Sequence, residues 1–188
     1  MVTVLLTCLI VMLFVTIAIA FVQVSNLIGL VRGKWVPFVP LGKRQMGHVN
    51  DYVQFDDPEK VSFVDLGSGD GRIVRLMEKK GVKDLTGYEL NWWAHMKAKF
   101  FAKKYDSKAN YLMQNFYNAN FEKYDTVFCY LLSNAMRDLR KKFDDELKPG
   151  SRIISFSFPI ENWREPEEVV FTNPKSKRID RIFVYRID

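Results

Sequence analysis

Charge is missing from the first part of the chain: no Asp, Glu, Lys or Arg occurs over residues 1–31, and all 28 Lys+Arg and 22 Asp+Glu fall between Arg32 and Asp188. The pattern is an apolar leader followed by one charged domain, with a net charge of +6. What remains after the leader is too short for two independent cores, which excludes a multidomain enzyme with a separate substrate domain. Cysteine is scarce as well. Cys8 in the leader and Cys129 in an apolar run make no disulfide framework and suit a reducing compartment. Together with two isolated histidines, His48 and His95, they have no ligand spacing, so no metal is expected. There is no internal repeat and no low-complexity tract. Large apolar side chains are plentiful, with 15 Phe, 8 Tyr and 4 Trp, which excludes a chain meant to stay unfolded.

The leader, Val2–Val24, is apolar apart from three threonines, Gln23 and Cys8. As a helix rising about 1.5 Å per residue it crosses a hydrocarbon core of roughly 30 Å, and it reads as a single transmembrane anchor over residues 1–30. A cleaved signal peptide is the alternative, with Ala18-Ile19-Ala20 as a small-residue cleavage site, but a basic n-region is lacking and the apolar stretch is long. Arg32, Lys34, Lys43 and Arg44 precede the first acid, Asp51, an excess that places the domain on the cytoplasmic (or matrix) side of a single-pass membrane protein. Residues 31–60 form a basic linker with a Pro-Phe-Val-Pro segment, either solvated or resting on anionic headgroups.

From residue 61 to 188 a short β-rich run, a glycine or polar turn and an amphipathic stretch recur, the pattern of an α/β domain. Strands are expected at 61–66, 83–89, 110–113, 125–131, 153–158, 169–172 and 181–186, with the last two forming an antiparallel hairpin at the sheet edge. Ile73, Leu76, Met77 and Lys80 keep helical spacing, as do Met136, Leu139, Phe143 and Leu147 behind Ser133 or Asn134 as N-cap. A third helix over 91–104 carries Trp92, Trp93, Met96, Phe100 and Phe101, residues expected in the core, with Lys97, Lys99, Lys103 and Lys104 on a solvated face.

The strongest local signal is Asp65-Leu66-Gly67-Ser68-Gly69-Asp70-Gly71-Arg72, where a strand gives way to a helix. Alternate glycines let the backbone turn tightly and approach a ligand, with helix N-terminal amides facing it. A tight turn that binds nothing needs the same glycines, but Glu89 stands at the end of the next strand, where an acid can accept both hydroxyl hydrogens of a ribose. A dinucleotide fingerprint wants a small residue at position 72, and Arg72 argues against NAD or FAD.

Asp-Leu-Gly-Ser-Gly-Asp-Gly resembles instead the loop of the seven-strand, class I S-adenosylmethionine-dependent methyltransferases, a Rossmann-like sheet with helices on both faces. The resemblance implies S-adenosyl-L-methionine as cofactor, with Asp65 and the loop Gly67, Ser68, Gly69, Asp70 and Gly71 around its methionine end. It further implies Glu89 with Leu90 at the ribose, and Asn115 and Phe116 at the adenine. The likeness extends along the chain through Pro37-Phe38-Val39-Pro40, Gly87-Tyr88-Glu89-Leu90-Asn91, the run Tyr124 to Leu132, Leu147-Lys148-Pro149-Gly150, Phe156-Ser157-Phe158-Pro159 and Trp163. In this order these segments resemble the small membrane-anchored protein lysine methyltransferases that modify the adenine nucleotide translocase and the ATP synthase c-subunit. Trp92 and Ser133 stand where relatives have proline, and the compact length suggests a minimal version whose substrate need not be either of those proteins.

The resemblance implies a protein lysine substrate, a membrane protein, reached from the membrane surface. Phe38 between prolines suits a lid over the cofactor. A lysine acceptor must shed a proton before it can attack, and Tyr130, Phe158 and Trp163 are the candidates for a desolvating aromatic slot. Tyr130 is the candidate catalytic residue, and no general base is assigned. The Asp/Asn/Ser-Pro-Pro-Tyr/Phe signature of adenine methyltransferases is replaced by Tyr130-Leu131-Leu132-Ser133, which weighs against nucleic acid as substrate. A methyltransferase for a quinone or lipid headgroup, and a noncatalytic adaptor, are the competing functions; the intact Asp65, glycines and Glu89 speak against the adaptor.

Overall fold

The computed structural model describes residues 2–32, 39–172 and 179–188. The leader is one helix, α1 (Val2–Arg32). Its stretch Val2–Val24 has the length and composition to cross a membrane, and its most apolar part buries nothing inside the protein. A short helix, α2 (Lys43–Tyr52), follows where the sequence points to a linker. Leu41, Val49 and Val53 are buried and Met46 packs beside them, so the folded domain begins near Leu41 rather than at residue 61. The spacing of Met46, Val49 and Val53 is helical, but the charged residues interleaved with them hide it.

Seven strands form one sheet: β1 (Ser62–Leu66), β2 (Asp84–Tyr88), β3 (Asn110–Leu112), β4 (Thr126–Cys129), β5 (Arg152–Phe156), β6 (Glu167–Thr172) and β7 (Ile179–Arg186), in the order β3-β2-β1-β4-β5-β7-β6. The first five are parallel, and β7 runs antiparallel between β5 and β6. The terminal pair is thus the edge hairpin expected. The connections are α3 (Arg72–Lys79), α4 (Trp92–Lys104) and α5 (Ser133–Glu146). Strand order reverses between β1 and β4, which opens a crevice at their carboxyl ends, where such sheets bind ligands.

Side chains alternate across the sheet and fill two cores. Val64, Leu66, Val127, Cys129, Ile153 and Tyr185 pack against Met136, Leu139 and Phe143 of α5. Phe63, Leu85, Phe128, Ile154, Phe156 and Val184 pack against α2, against Ile73, Val74 and Met77 of α3, and against Ala98 of α4. Strands covered on both faces read as continuous apolar runs, which makes them legible in the sequence.

Two local expectations are corrected. Trp92, Trp93, Met96 and Phe100 are not core residues; all are exposed, and α4 buries Ala94 and Ala98 instead. Small side chains at i and i+4 let that face of the helix lie close to the sheet, which turns the aromatics outward. At α5 Ser133 is already helical, and Leu132 occupies the N-cap position without a side-chain hydrogen bond.

Candidate active site

The loop between β1 and α3 is positioned by its glycines and by β2. Gly67, Gly69 and Gly71 have φ of +79°, +57° and +75°, left-handed values that a Cβ disfavours. The Gly67 and Ser68 amides both donate to the Tyr88 carbonyl, at 2.9 and 2.8 Å, and the Gly69 amide donates to Glu89 Oε2 at 2.8 Å. Gly87 matters for a different reason: a Cβ there would come within 2.7 Å of Ser68 Oγ. That hydroxyl is buried and lacks a hydrogen-bond partner among the described residues.

Three carboxylates converge on the loop, and their surroundings separate them. Asp65, at the end of β1, is 3% exposed. Burial, and then the charges of Glu89 and Asp70, push its carboxyl well above the ordinary range. Burial also raises Glu89, partly offset by the hydrogen bonds it accepts from the Asn91 and Gly69 amides. Asp70 goes the other way. Against the upward push of burial, Arg72 lowers it through hydrogen bonds and charge, with Nε to Oδ1 at 2.9 Å and Nη2 to Oδ2 at 2.6 Å. Arg72 Nη1 also donates to the Leu41 carbonyl, tying the segment before α2 to the loop. With Asp70 partnered by Arg72, Asp65 and Glu89 are left as buried carboxyls whose charge burial disfavours, a charge that a cationic ligand with hydroxyl groups would stabilise. A sulfonium and ammonium beside a ribose have that chemistry.

Asp65, Gly67, Ser68, Gly69 and Asp70 line a cleft together with Phe128, Tyr130 and the segment Val39, Pro40 and Leu41. Val39 and Pro40 of the Pro-Phe-Val-Pro segment thus border the loop; Pro37 and Phe38, the latter the residue expected to act as a lid, lie outside the described residues. Tyr130 packs edge-on against Phe156, with ring centroids 5.6 Å apart. Its expected slot partners are placed differently. Phe158 is half-buried just beyond Ser157, whose φ of +72° turns the chain after β5. Trp163 belongs to the other face of the sheet: its ring lies 5.3 Å from Tyr185 and 6.0 Å from Phe143, and its Nε1 donates to Asp144. A slot of Tyr130 with Trp163 is not assembled, because the two rings pack in separate cores.

The remaining candidates flank the loop. Leu90 is half-buried after Glu89. Asn115 accepts a hydrogen bond from the Tyr117 amide at 3.0 Å, capping a 3-10 turn (Phe116–Asn118), and Phe116 is 7% exposed against Tyr117. Neither lines the cleft beside Asp65. Two residues of the site are not evident from the sequence reading. Arg72 counts there only for its bulk, though an Arg two residues after an Asp in a helix-opening loop is itself a signal of pairing. Phe128 is hidden in an apolar strand.

A family model described as the ANTKMT methyltransferase domain matches residues 65–168, from Asp65 into β6. The chain belongs to this family. It is 32% identical over 152 residues to the human lysine N-methyltransferase of the ATP synthase c-subunit, covering 80% of this chain and 61% of the human one. It is 31% identical over 138 residues to a protein-lysine N-methyltransferase of Saccharolobus islandicus, covering 72% and 84%. This chain spans about half to three fifths of the length of the mammalian c-subunit methyltransferases it matches. Among solved structures, an RNA methyltransferase from Salinibacter ruber in complex with S-adenosyl-L-homocysteine superposes with a TM-score of 0.68 at 26% identity, covering 79% of this chain and 94% of that one. The ANTKMT domain thus contains both the glycine loop and Tyr130, and the expected cofactor, S-adenosyl-L-methionine, agrees with methyltransferase family and fold alike.

Proposed function

We propose that this chain is a protein lysine N-methyltransferase acting at a membrane surface. The observation that carries the reading is the cleft in which the glycine loop, the buried Asp65 and the Tyr130 ring lie together. S-adenosyl-L-methionine supplies a methyl group already activated by the positive charge of its sulfonium. Asp65 would hold the cationic end of that ligand and Glu89 would accept hydrogen bonds from its ribose hydroxyls, beside a loop whose tight turn the left-handed glycines permit. Tyr130, backed by Phe156, walls off the acceptor from water. Desolvation there lowers the amine from its ordinary pKa of about 10.4, so that the lone pair needed for in-line attack becomes available. The lysine N-methyltransferase names of the human and archaeal relatives support the acceptor.

The membrane part of the reading rests on α1. Val2–Val24 spans the bilayer once, and the basic residues from Arg32 to Arg44 hold the catalytic domain on the cytoplasmic or matrix side. The substrate is a membrane protein whose lysine lies close to that surface.

Incubating the full chain in lipid nanodiscs with labelled S-adenosylmethionine and membrane extract tests the proposal. Label is expected in a protein band that yields methyl-lysine on hydrolysis. Label in the lipid phase replaces the lysine by a small amphiphile, and label in RNA replaces it by the substrate type of the Salinibacter neighbour.

A further inference from the structure

Among the described residues, the outward face of α4 is met at Trp92, by Phe21 of α1. Trp92, Trp93, Met96 and Phe100 form one stripe at i, i+1, i+4 and i+8, and all are exposed, Phe100 by 64%. Ala94 and Ala98, on the opposite side, hold the helix to the domain. Lys99 and Lys103 border the stripe on one side and Lys97 and Lys104 on the other, all exposed, and α4 contains no acid. A core helix would bury these aromatics, and a solvated one would not carry them. An aromatic centre with lysine margins is the composition of a helix lying in a bilayer interface, its rings at headgroup depth and its ammonium groups against phosphates.

The contact between α4 and α1 supplies the height of that interface. The Phe21 ring meets Trp92 edge-on, with centroids 5.3 Å apart. Phe21 lies three residues before the end of the apolar span Val2–Val24, which at about 1.5 Å per residue is roughly 5 Å from its boundary. Given the reading of α1 as a transmembrane helix, Trp92 stands at the edge of the hydrocarbon and the rest of the stripe continues along it. A protein partner for this face would have to share the place with the lipid around α1.

We propose that α4 is a second, interfacial anchor: Trp92, Trp93, Met96 and Phe100 dip into the bilayer boundary, and Lys97, Lys99, Lys103 and Lys104 bind anionic headgroups. Because α4 starts three residues after Glu89, at the carboxyl edge of the sheet, this docking holds the cleft next to the membrane plane. It selects lysines at the foot of membrane proteins over those far from the surface.

The test uses the full chain in vesicles of phosphatidylcholine and phosphatidylglycerol whose acyl chains are brominated near the headgroup. Bromine quenches nearby tryptophan, and a component of the emission is expected to be quenched in the wild type and lost in Trp92→Phe/Trp93→Phe, which keeps the apolar stripe. Changing Lys97, Lys99, Lys103 and Lys104 together to Gln is expected to weaken the quenching and to remove its dependence on phosphatidylglycerol. Carbonate extraction of the same vesicles reports on α1 alone. Retention in the membrane with Trp92 and Trp93 unquenched overturns the interfacial anchor while leaving the transmembrane one intact. Release by carbonate with quenching preserved beforehand overturns the α1 reading and keeps α4 as a peripheral contact. Unquenched tryptophans in nanodiscs that contain two copies assign the stripe to a second chain and overturn the proposal.

Discussion

The Gly69 amide donates to Glu89 Oε2 at 2.8 Å, so the acid expected at the ribose also fastens the loop to the end of β2. Its other oxygen accepts from the Asn91 amide at 2.7 Å, at the start of α4. The Leu90 amide also donates to this carboxylate, whose roughly four lone-pair sites still leave acceptor capacity toward the ribose.

Glu89→Ala therefore does two things. It strands two buried amides, a cost of about 1–3 kcal/mol to the folded state, and it removes a charged acceptor from the cofactor, about 1.5–3 kcal/mol of affinity. Glu89→Gln keeps one carbonyl acceptor and is expected to lose less on both counts. Thermal denaturation and calorimetric titration with S-adenosylhomocysteine measure the two effects separately. Unchanged affinity in the alanine variant removes Glu89 from the site.

Asp65 gives a prediction with a definite sign in pH. Its carboxyl is raised in the folded protein, so the folded state holds this proton to higher pH than the unfolded chain does. From the ordinary carboxylate range up to the raised value, stability falls as pH rises, and above it the whole penalty of the buried charge applies. Asp65→Asn is expected to stabilise the ligand-free protein at neutral pH by about 1 kcal/mol, a rise in Tm of roughly 2–4 °C. The same change should abolish most of the stabilisation by cofactor. A lower Tm in the variant contradicts this account of the charge.

Gly87→Ala tests the packing behind the loop. The added methyl meets Ser68 Oγ at 2.7 Å and a Val74 methyl at 3.1 Å, within two buried elements. A loss of about 1–3 kcal/mol is expected, with weaker cofactor binding because Ser68 must move. Chemical denaturation and calorimetry check both, and wild-type behaviour would mean that the loop adjusts freely.

Tyr130 and Trp163 should separate by readout. Tyr130→Ala opens the cleft and is expected to lower kcat strongly, whereas Tyr130→Phe keeps the ring and much of the rate. Trp163→Ala removes packing on the opposite face and is expected to cost about 2–4 kcal/mol of stability. The kcat of its folded fraction should change little. Loss of kcat in a Trp163 variant of wild-type stability would restore it to the acceptor slot.

The parts of the fold that can be read in the sequence are those in which burial acts on both sides of an element. All seven strands fall within a few residues of their expected places: β1, β4 and β5 as mainly apolar, buried runs, and β6 and β7 by their Val, Ile, Phe and Tyr content, although β6 is largely exposed. The loop from Asp65 to Gly71 is equally clear, since few conformations need three alternate glycines. Facing is harder to read. The aromatics of α4 share a helix face with one another, but spacing cannot tell an inward stripe from an outward one; the alanines at 94 and 98 decide it. Trp163 looks like a neighbour of Tyr130 because both follow a strand end, yet they belong to opposite faces of the sheet.

The position of β7 bears on how the protein is made. This strand is later in the chain than β6 but lies between β5 and β6, so neither the β5 edge nor β6 has its partner until residues 179–186 have left the ribosome. Until then the nascent domain carries an open strand edge. Completion of the sheet is thus a late, long-range event, and a chain cut between β6 and β7 should be cleared by proteases rather than accumulate as a partly active enzyme.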